Sequence, residues 1–201
     1  MAYYVRLLTP SSKVVEFAAV AQQGTTIRLA EGTEAQWNRI EVFEPEDNLI
    51  AKVERIAAAD DKFDSILAGL RDSLQDGCPE SARQWIRNYL FQVRAVYVFQ
   101  LLSDNITTRE QWQTLGRIQN LLKDALAGII QADSEGFYNE NGDYILWRMY
   151  AGAKGFIPAA VLDEKGEWVN FALNISNAKA VESFKQGLPP KKGFWGLLFR
   201  T

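Results

Sequence analysis

The sequence predicts an α+β fold in which antiparallel β regions at both ends flank a central helical hairpin or bundle of three to four helices. Three observations predict it. The first 45 residues are short alternating apolar runs cut by turn residues. Apolar residues from about 47 to 132 recur at spacings of three and four, the period of one helix face. Beyond 133, Glu140-Asn141-Gly142 separates two alternating runs, and Asn-Gly is the strongest short hairpin signal because both residues tolerate positive φ. Segregated runs of strands and helices argue for α+β over alternating α/β. No linker interrupts the chain, so residues 1–201 are expected to form a single domain.

In order, residues 3–9 predict a strand closed by Thr9-Pro10-Ser11-Ser12, and 14–21 are apolar but open between strand and helix. Residues 25–30 and 37–44 predict two more strands. Pro45-Glu46-Asp47-Asn48 ends this region and opens the helices. Leu49, Ile50, Val53, Ile56 and Ala57 form one helical stripe, and Phe63, Ile66, Leu67, Leu70 and Leu74 another, with Asp60-Asp61 between them.

The dominant expected feature is a helical pair. A first helix from about Pro79 to Leu102 carries Ala82, Trp85, Ile86, Tyr89, Leu90, Val93, Val96, Tyr97 and Leu101 on one face, although 93–99 is also rich in strand-forming residues. A second begins at a capping box, Thr107 with Glu110, and carries Trp112, Leu115, Ile118, Leu122, Leu126 and Ile129. Trp85, Leu90, Trp112, Leu122 and Ile129 are expected to be buried. Hairpins follow at 134–150 and 156–175, then a short helix capped by Ser176 or Asn177 and ending near Gly187.

Composition bounds the chemistry. The chain has no histidine and one cysteine, Cys78, which removes Ser-His and Cys-His nucleophile pairs, the usual zinc sites and any internal disulfide. Glycine-rich phosphate loops and Gly-x-Ser-x-Gly elbows are absent. A net charge of −3 without a Lys/Arg run argues against nucleic acid. No apolar run reaches membrane-span length and the N-terminus lacks a secretion pattern, so a soluble, cytoplasmic protein is expected, with no cofactor and no metal. Cys78 precedes a helix start, where a thiolate is favoured, yet no basic partner is in view.

Several fragments mimic motifs. Ser176-Asn177-Ala178-Lys179 and Ser103-Asp104-Asn105 occur in the reverse of the order used by penicillin-recognising serine enzymes and lack the third motif, so they read as a helix cap and an interhelical turn. Placing Gly142 at position six of a calcium loop puts Phe137 and Arg148 at the two outer positions, where neither can supply a carboxylate.

Two function classes remain. One is a non-enzymatic interaction protein (adaptor, inhibitor or immunity-type) that binds another protein or a second copy of itself. Its candidate contacts are Trp168, opposite Val169 and Phe171 on its strand, and the apolar C-terminal residues Phe194, Trp195, Leu197, Leu198 and Phe199, which follow Leu188-Pro189-Pro190. The other is a small-ligand sensor or hydrolase using Asp133, Glu135, Glu140 and Asp143 around the 133–148 hairpin, since paired carboxylates with separated pKa values can do acid–base work.

Overall fold

Ala95-Val96-Tyr97-Val98-Phe99 decides the architecture. An unbroken apolar run of this length can be a buried helix segment or a strand covered on both faces. In the computed structural model, which describes residues 2–22, 25–45, 47–75, 77–147 and 154–190, it is a strand. Ala95, Val96, Tyr97 and Phe99 are all buried, with alternate residues entering different cores.

Around it runs one sheet. Its strands are β1 (Ala2–Thr9), β2 (Thr26–Gly32), β3 (Trp37–Phe43), β4 (Leu49–Ala57), β5 (Ala95–Leu102), β6 (Ile129–Ala132), β7 (Gly136–Tyr138), β8 (Tyr144–Trp147), β9 (Phe156–Leu162) and β10 (Trp168–Asn174). Their order is β10-β9-β8-β7-β6-β1-β5-β4-β3-β2, ten strands among the described residues. Every pairing is antiparallel except β8 with β9, which meet in parallel at Tyr144 and Ala159. The helices are α1 (Phe17–Ala21), α2 (Phe63–Ser73), α3 (Glu80–Leu90), α4 (Arg109–Leu126) and α5 (Ala178–Lys185).

This corrects the expected architecture. Strands do not flank a helical bundle; helices cover one large mixed sheet. The expected helix from Pro79 to Leu102 is α3 followed by β5, and the stripe at 49–57 is β4. The physical reason lies in how the strands pair. In β4, Ala51 and Val53 alternate inward with Lys52 and Glu54 between them, while a register shift opposite Val42 and Phe43 brings Ile50 into the same core as Ala51. That bulge reproduces the i, i+1, i+4 spacing of a helix. Ile129, read as the end of the second helix, opens β6 instead, after Ala127 adopts a left-handed φ of 49° and ends α4.

Two main cores lie on opposite faces of the sheet. On one, Leu115, Ile118, Leu122 and Leu126 of α4 pack over Val5, Leu7, Val53, Tyr97 and Phe99. There Trp37 stands edge-on to Tyr97 with ring centroids 5.6 Å apart, and its Nε1 donates to the Val15 carbonyl, fastening the 10–22 segment onto the sheet. On the other face, Phe63, Leu67 and Leu70 of α2 and Ala82, Ile86 and Leu90 of α3 cover Leu8, Ile56, Val96, Ile129 and Phe137. Strand β9 repeats the two-sided pattern: Ala160 joins α2 and α3, whereas Ala159 and Val161 pack with Phe184 of α5.

The start of α4 is set one residue later than expected. Thr108 caps it, accepting from the Gln111 amide at 3.2 Å, and Gln111 Oε1 accepts from the Thr108 amide at 3.0 Å. Gln111 Nε2 also donates to the Glu44 carbonyl at 2.6 Å, so the cap doubles as a tie to the end of β3. At the other end Thr9 Oγ1 donates to the Leu126 carbonyl at 2.6 Å. Both ends of α4 are therefore anchored to the sheet. Leu90, Leu122 and Ile129 are buried as expected, but Trp112 is 48 % exposed.

If β5 is the shared wall of both cores, truncating its fully buried Phe99 should be costly. Phe99→Ala is expected to lose about 3–5 kcal/mol of unfolding free energy in urea denaturation. A loss below about 1 kcal/mol would contradict this placement of β5.

Candidate functional site

One side of α4 does not close onto the sheet. Residues 112, 115, 116, 119, 120 and 123 share a helical face, and this stripe borders a cleft of about 360 Å³. The floor is Val5 of β1, Leu101 of β5 and Ile130 and Ala132 of β6. The far wall is Glu135, Tyr138 and Gly142 from the β6–β7–β8 region, with Tyr3 completing it.

Gly116 explains the opening. A Cβ built there meets no heavy atom within 4 Å, so no close packing requires glycine at this position. A glycine inside a helix costs about 1 kcal/mol relative to alanine. Here it leaves open space at the cleft wall.

The wall is a hydrogen-bonded cluster. Glu135 Oε2 accepts from the hydroxyls of Tyr138 at 2.7 Å and Tyr144 at 3.2 Å, and the two phenols also contact each other, their ring centroids 4.0 Å apart. Burial, and then the neighbouring Tyr144 and Glu135, push the Tyr138 phenol well above its ordinary value, so it remains a protonated donor. Lys123, at the cleft's other end, is only 8 % exposed; its Nζ donates to the Glu140 carbonyl at 2.6 Å and lies 3.4 Å from Asp124 Oδ1. That bond ties α4 to the β7–β8 hairpin.

The hairpin is built around Asn139, whose Oδ1 accepts from the amides of Asn141 and Asp143. Gly142, at φ 84°, supplies the turn anticipated from Asn-Gly. Asn139 Nδ2 and Asp143 Oδ2 are buried without a hydrogen-bond partner. Burial pushes the Asp143 carboxyl up from its ordinary value, with Asn139 pulling the other way.

The four acidic candidates therefore occupy different settings. Glu135 alone lines the cleft. Asp133 is held by Arg6 at 2.5 Å, Glu140 is exposed, and Asp143 is buried within its hairpin. Trp168 is half-buried, its ring edge-on to Trp85 at 5.0 Å, and Trp85 stacks on Tyr89. Phe194, Trp195, Leu197, Leu198 and Phe199 lie outside the described residues. The Cys78 thiol is pushed up by burial, the opposite of an activated thiolate. Cys78 is the chain's one cysteine and forms no internal disulfide, and among the described residues no three His, Cys, Asp or Glu side chains gather as a metal-ligand set. No helix among them is long and apolar enough to cross a membrane.

Trp112, Gly116, Lys123 and Tyr138 are cleft residues that sequence reasoning missed. For the three on α4 the signal was present: Trp112, Gly116, Asn120 and Lys123 recur at helical spacing beside its apolar stripe. Comparison with protein-family models, with curated proteins and with solved structures finds no significant match to this chain.

The raised Asp143 carboxyl has a pH consequence. The folded chain keeps this proton to higher pH than the unfolded chain, so the group's stabilisation is full below the ordinary aspartate range and is lost as pH rises through the raised value. Asp143→Asn should therefore be more stable than wild type at neutral pH, by about 1 kcal/mol, the scale of an unsatisfied buried polar atom. The two proteins should converge as pH approaches about 4. Urea denaturation across that range checks this; a variant less stable than wild type at neutral pH would contradict it.

Proposed function

We propose that this chain is a small-ligand sensor whose binding site is the cleft between α4 and strands β1, β5, β6 and β7. The observation that carries this reading is Gly116: a helix interior gives up stability at a position that lines the cleft and where an added Cβ meets open space. The lining supports it as well. An apolar floor with a few converging polar groups, here Gln119, Asn120, Glu135 and Tyr138, is the usual make-up of a ligand pocket. The dispersal of Asp133, Glu135, Glu140 and Asp143 favours binding over two-carboxylate hydrolysis.

The test uses opposite effects of two substitutions. Gly116→Ala should stabilise the free protein by about 1 kcal/mol, because alanine is the better helix former and meets open space. Gly116→Leu should fold with a melting temperature near wild type while abolishing binding. In a thermal-shift screen of metabolite-sized compounds, a ligand at about 100 times its Kd stabilises wild type by about 2.7 kcal/mol. Hits that stabilise Gly116→Leu equally would place binding elsewhere.

A second reading, a protein-interaction role through the 188–201 segment, is favoured by β10, which among the described residues pairs only with β9 and leaves one edge open. Val169 on that strand is 38 % exposed and Leu188, after α5, is 55 % exposed. A chain truncated at 190 separates the outcomes by melting temperature and sedimentation. Lower stability means docking within the chain, and lost association at unchanged stability means a partner or a second copy. No change in either, with no partner lost from a pull-down, would remove this reading.

A further inference from the structure

The walls of the cleft also bear on what enters it. Resting on the ligand reading above, we infer that the ligand carries an organic ammonium group, held between the aromatic side chains of Tyr3, Trp112 and Tyr138 and the carboxylate of Glu135.

Charge is the first ground. Among the described residues, two side chains of formal charge line the cleft, Glu135 and Lys123. The Lys123 ammonium is engaged by the Glu140 carbonyl at 2.6 Å and by Asp124 at 3.4 Å, and the residue is almost wholly buried. That bond directs the ammonium to the hairpin. Glu135 is different. Both phenols donate to the same oxygen, Oε2, and Oε1 accepts no hydrogen bond from the described residues. A half-buried carboxylate with one oxygen open on a ligand cleft attracts a cation and repels an anion.

The aromatic residues are the second ground. Trp112 keeps 48 % of its surface exposed although it lies on a helix whose neighbouring face is fully packed. Among the described residues it joins Tyr3 and Tyr138 as three aromatic side chains lining the cleft beside the Glu135 carboxylate. Aromatic faces attract cations through the ring quadrupole, tryptophan most strongly, and several together with a carboxylate are the recurring means of holding ammonium ligands. The Tyr138 ring is fixed for this by its hydroxyl bond to Glu135 and by contact with Tyr144. A ligand anion at this place would lie against Glu135.

The test is titration of the full chain with choline, ethanolammonium and n-butylammonium, each beside its uncharged counterpart (3,3-dimethylbutan-1-ol for choline), and with acetate and butyrate as anions. Binding is read by tryptophan fluorescence and by NMR shifts. At least one ammonium should bind saturably while its uncharged counterpart binds about tenfold more weakly or worse. Glu135→Gln, which retains an oxygen to accept from the tyrosines, and Trp112→Ala, at a half-exposed position, should each weaken that ammonium about tenfold while melting near wild type. Gly116→Leu should abolish it. If carboxylates or uncharged compounds bind instead, and Gly116→Leu blocks them, the cleft remains the site and the ammonium assignment is overturned. If an ammonium binds equally to all three variants, the assignment to this cleft is overturned. If none of the ammonium compounds binds at tens of millimolar, the ammonium assignment is likewise overturned, and the metabolite screen alone then decides whether the cleft binds anything.

Discussion

The structure depends on β5 being buried from both sides. A strand with Ala95, Val96, Tyr97 and Phe99 all inaccessible needs a helical layer on each face, because each fully buried large apolar side chain is worth about 1.5–3 kcal/mol only if water is excluded from it. The α4 layer supplies one cover and the α2–α3 layer the other. Strand β1 lies between β5 and β6, so it shares the same burial and links the two halves of the sheet.

That two-sided cover also creates the cleft. Helix α4 is pinned at Gln111 to the Glu44 carbonyl and at Leu126 to Thr9, and these ties hold its axis over β1 and β5. A helix is narrower than the patch of sheet it crosses, so its flank toward β6 and β7 is left as a groove. Large side chains on that flank would have filled the groove. Instead, between Trp112 and Lys123, the flank carries Gly116, Gln119 and Asn120, and the rim is closed by Lys123 reaching the β7–β8 hairpin. Stability and opening thus come from the same helix, one face each.

The hairpin opposite α4 balances rigidity against cost. Asn139 organises its turn with two amide bonds to one oxygen, yet Asn139 Nδ2 and Asp143 Oδ2 are left buried and unmatched. The Tyr138–Tyr144–Glu135 cluster next to it is by contrast well bonded, which keeps the cleft wall in place. Asn139 and Asp143 are not among the cleft lining, whereas Tyr138 and Glu135 are.

Local chemistry was legible in the sequence wherever a residue type has only one use. The Asn141-Gly142 hairpin, the 156–175 hairpin, the Asn177 cap, the strands at 3–9 and 37–44 and the body of α4 all follow from turn, cap and period rules that act over a few residues. Among the acidic candidates, Glu135 was named from the sequence, whereas Trp112 was assigned to a buried stripe. Only the tertiary structure decided that Leu49–Ala57 and Ala95–Leu102 are strands. Their apolar residues satisfy a helical stripe equally well, and the choice depends on partners about 40 to 100 residues away in the chain, β5 for β4 and β1 for β5. The cleft was decided at the same level. Gly116 and Glu135 carry no mark of belonging together until the sheet places β7 beside β6 and sets α4 across from it, because a pocket is a property of distances between elements, and sequence spacing reports only distances within one.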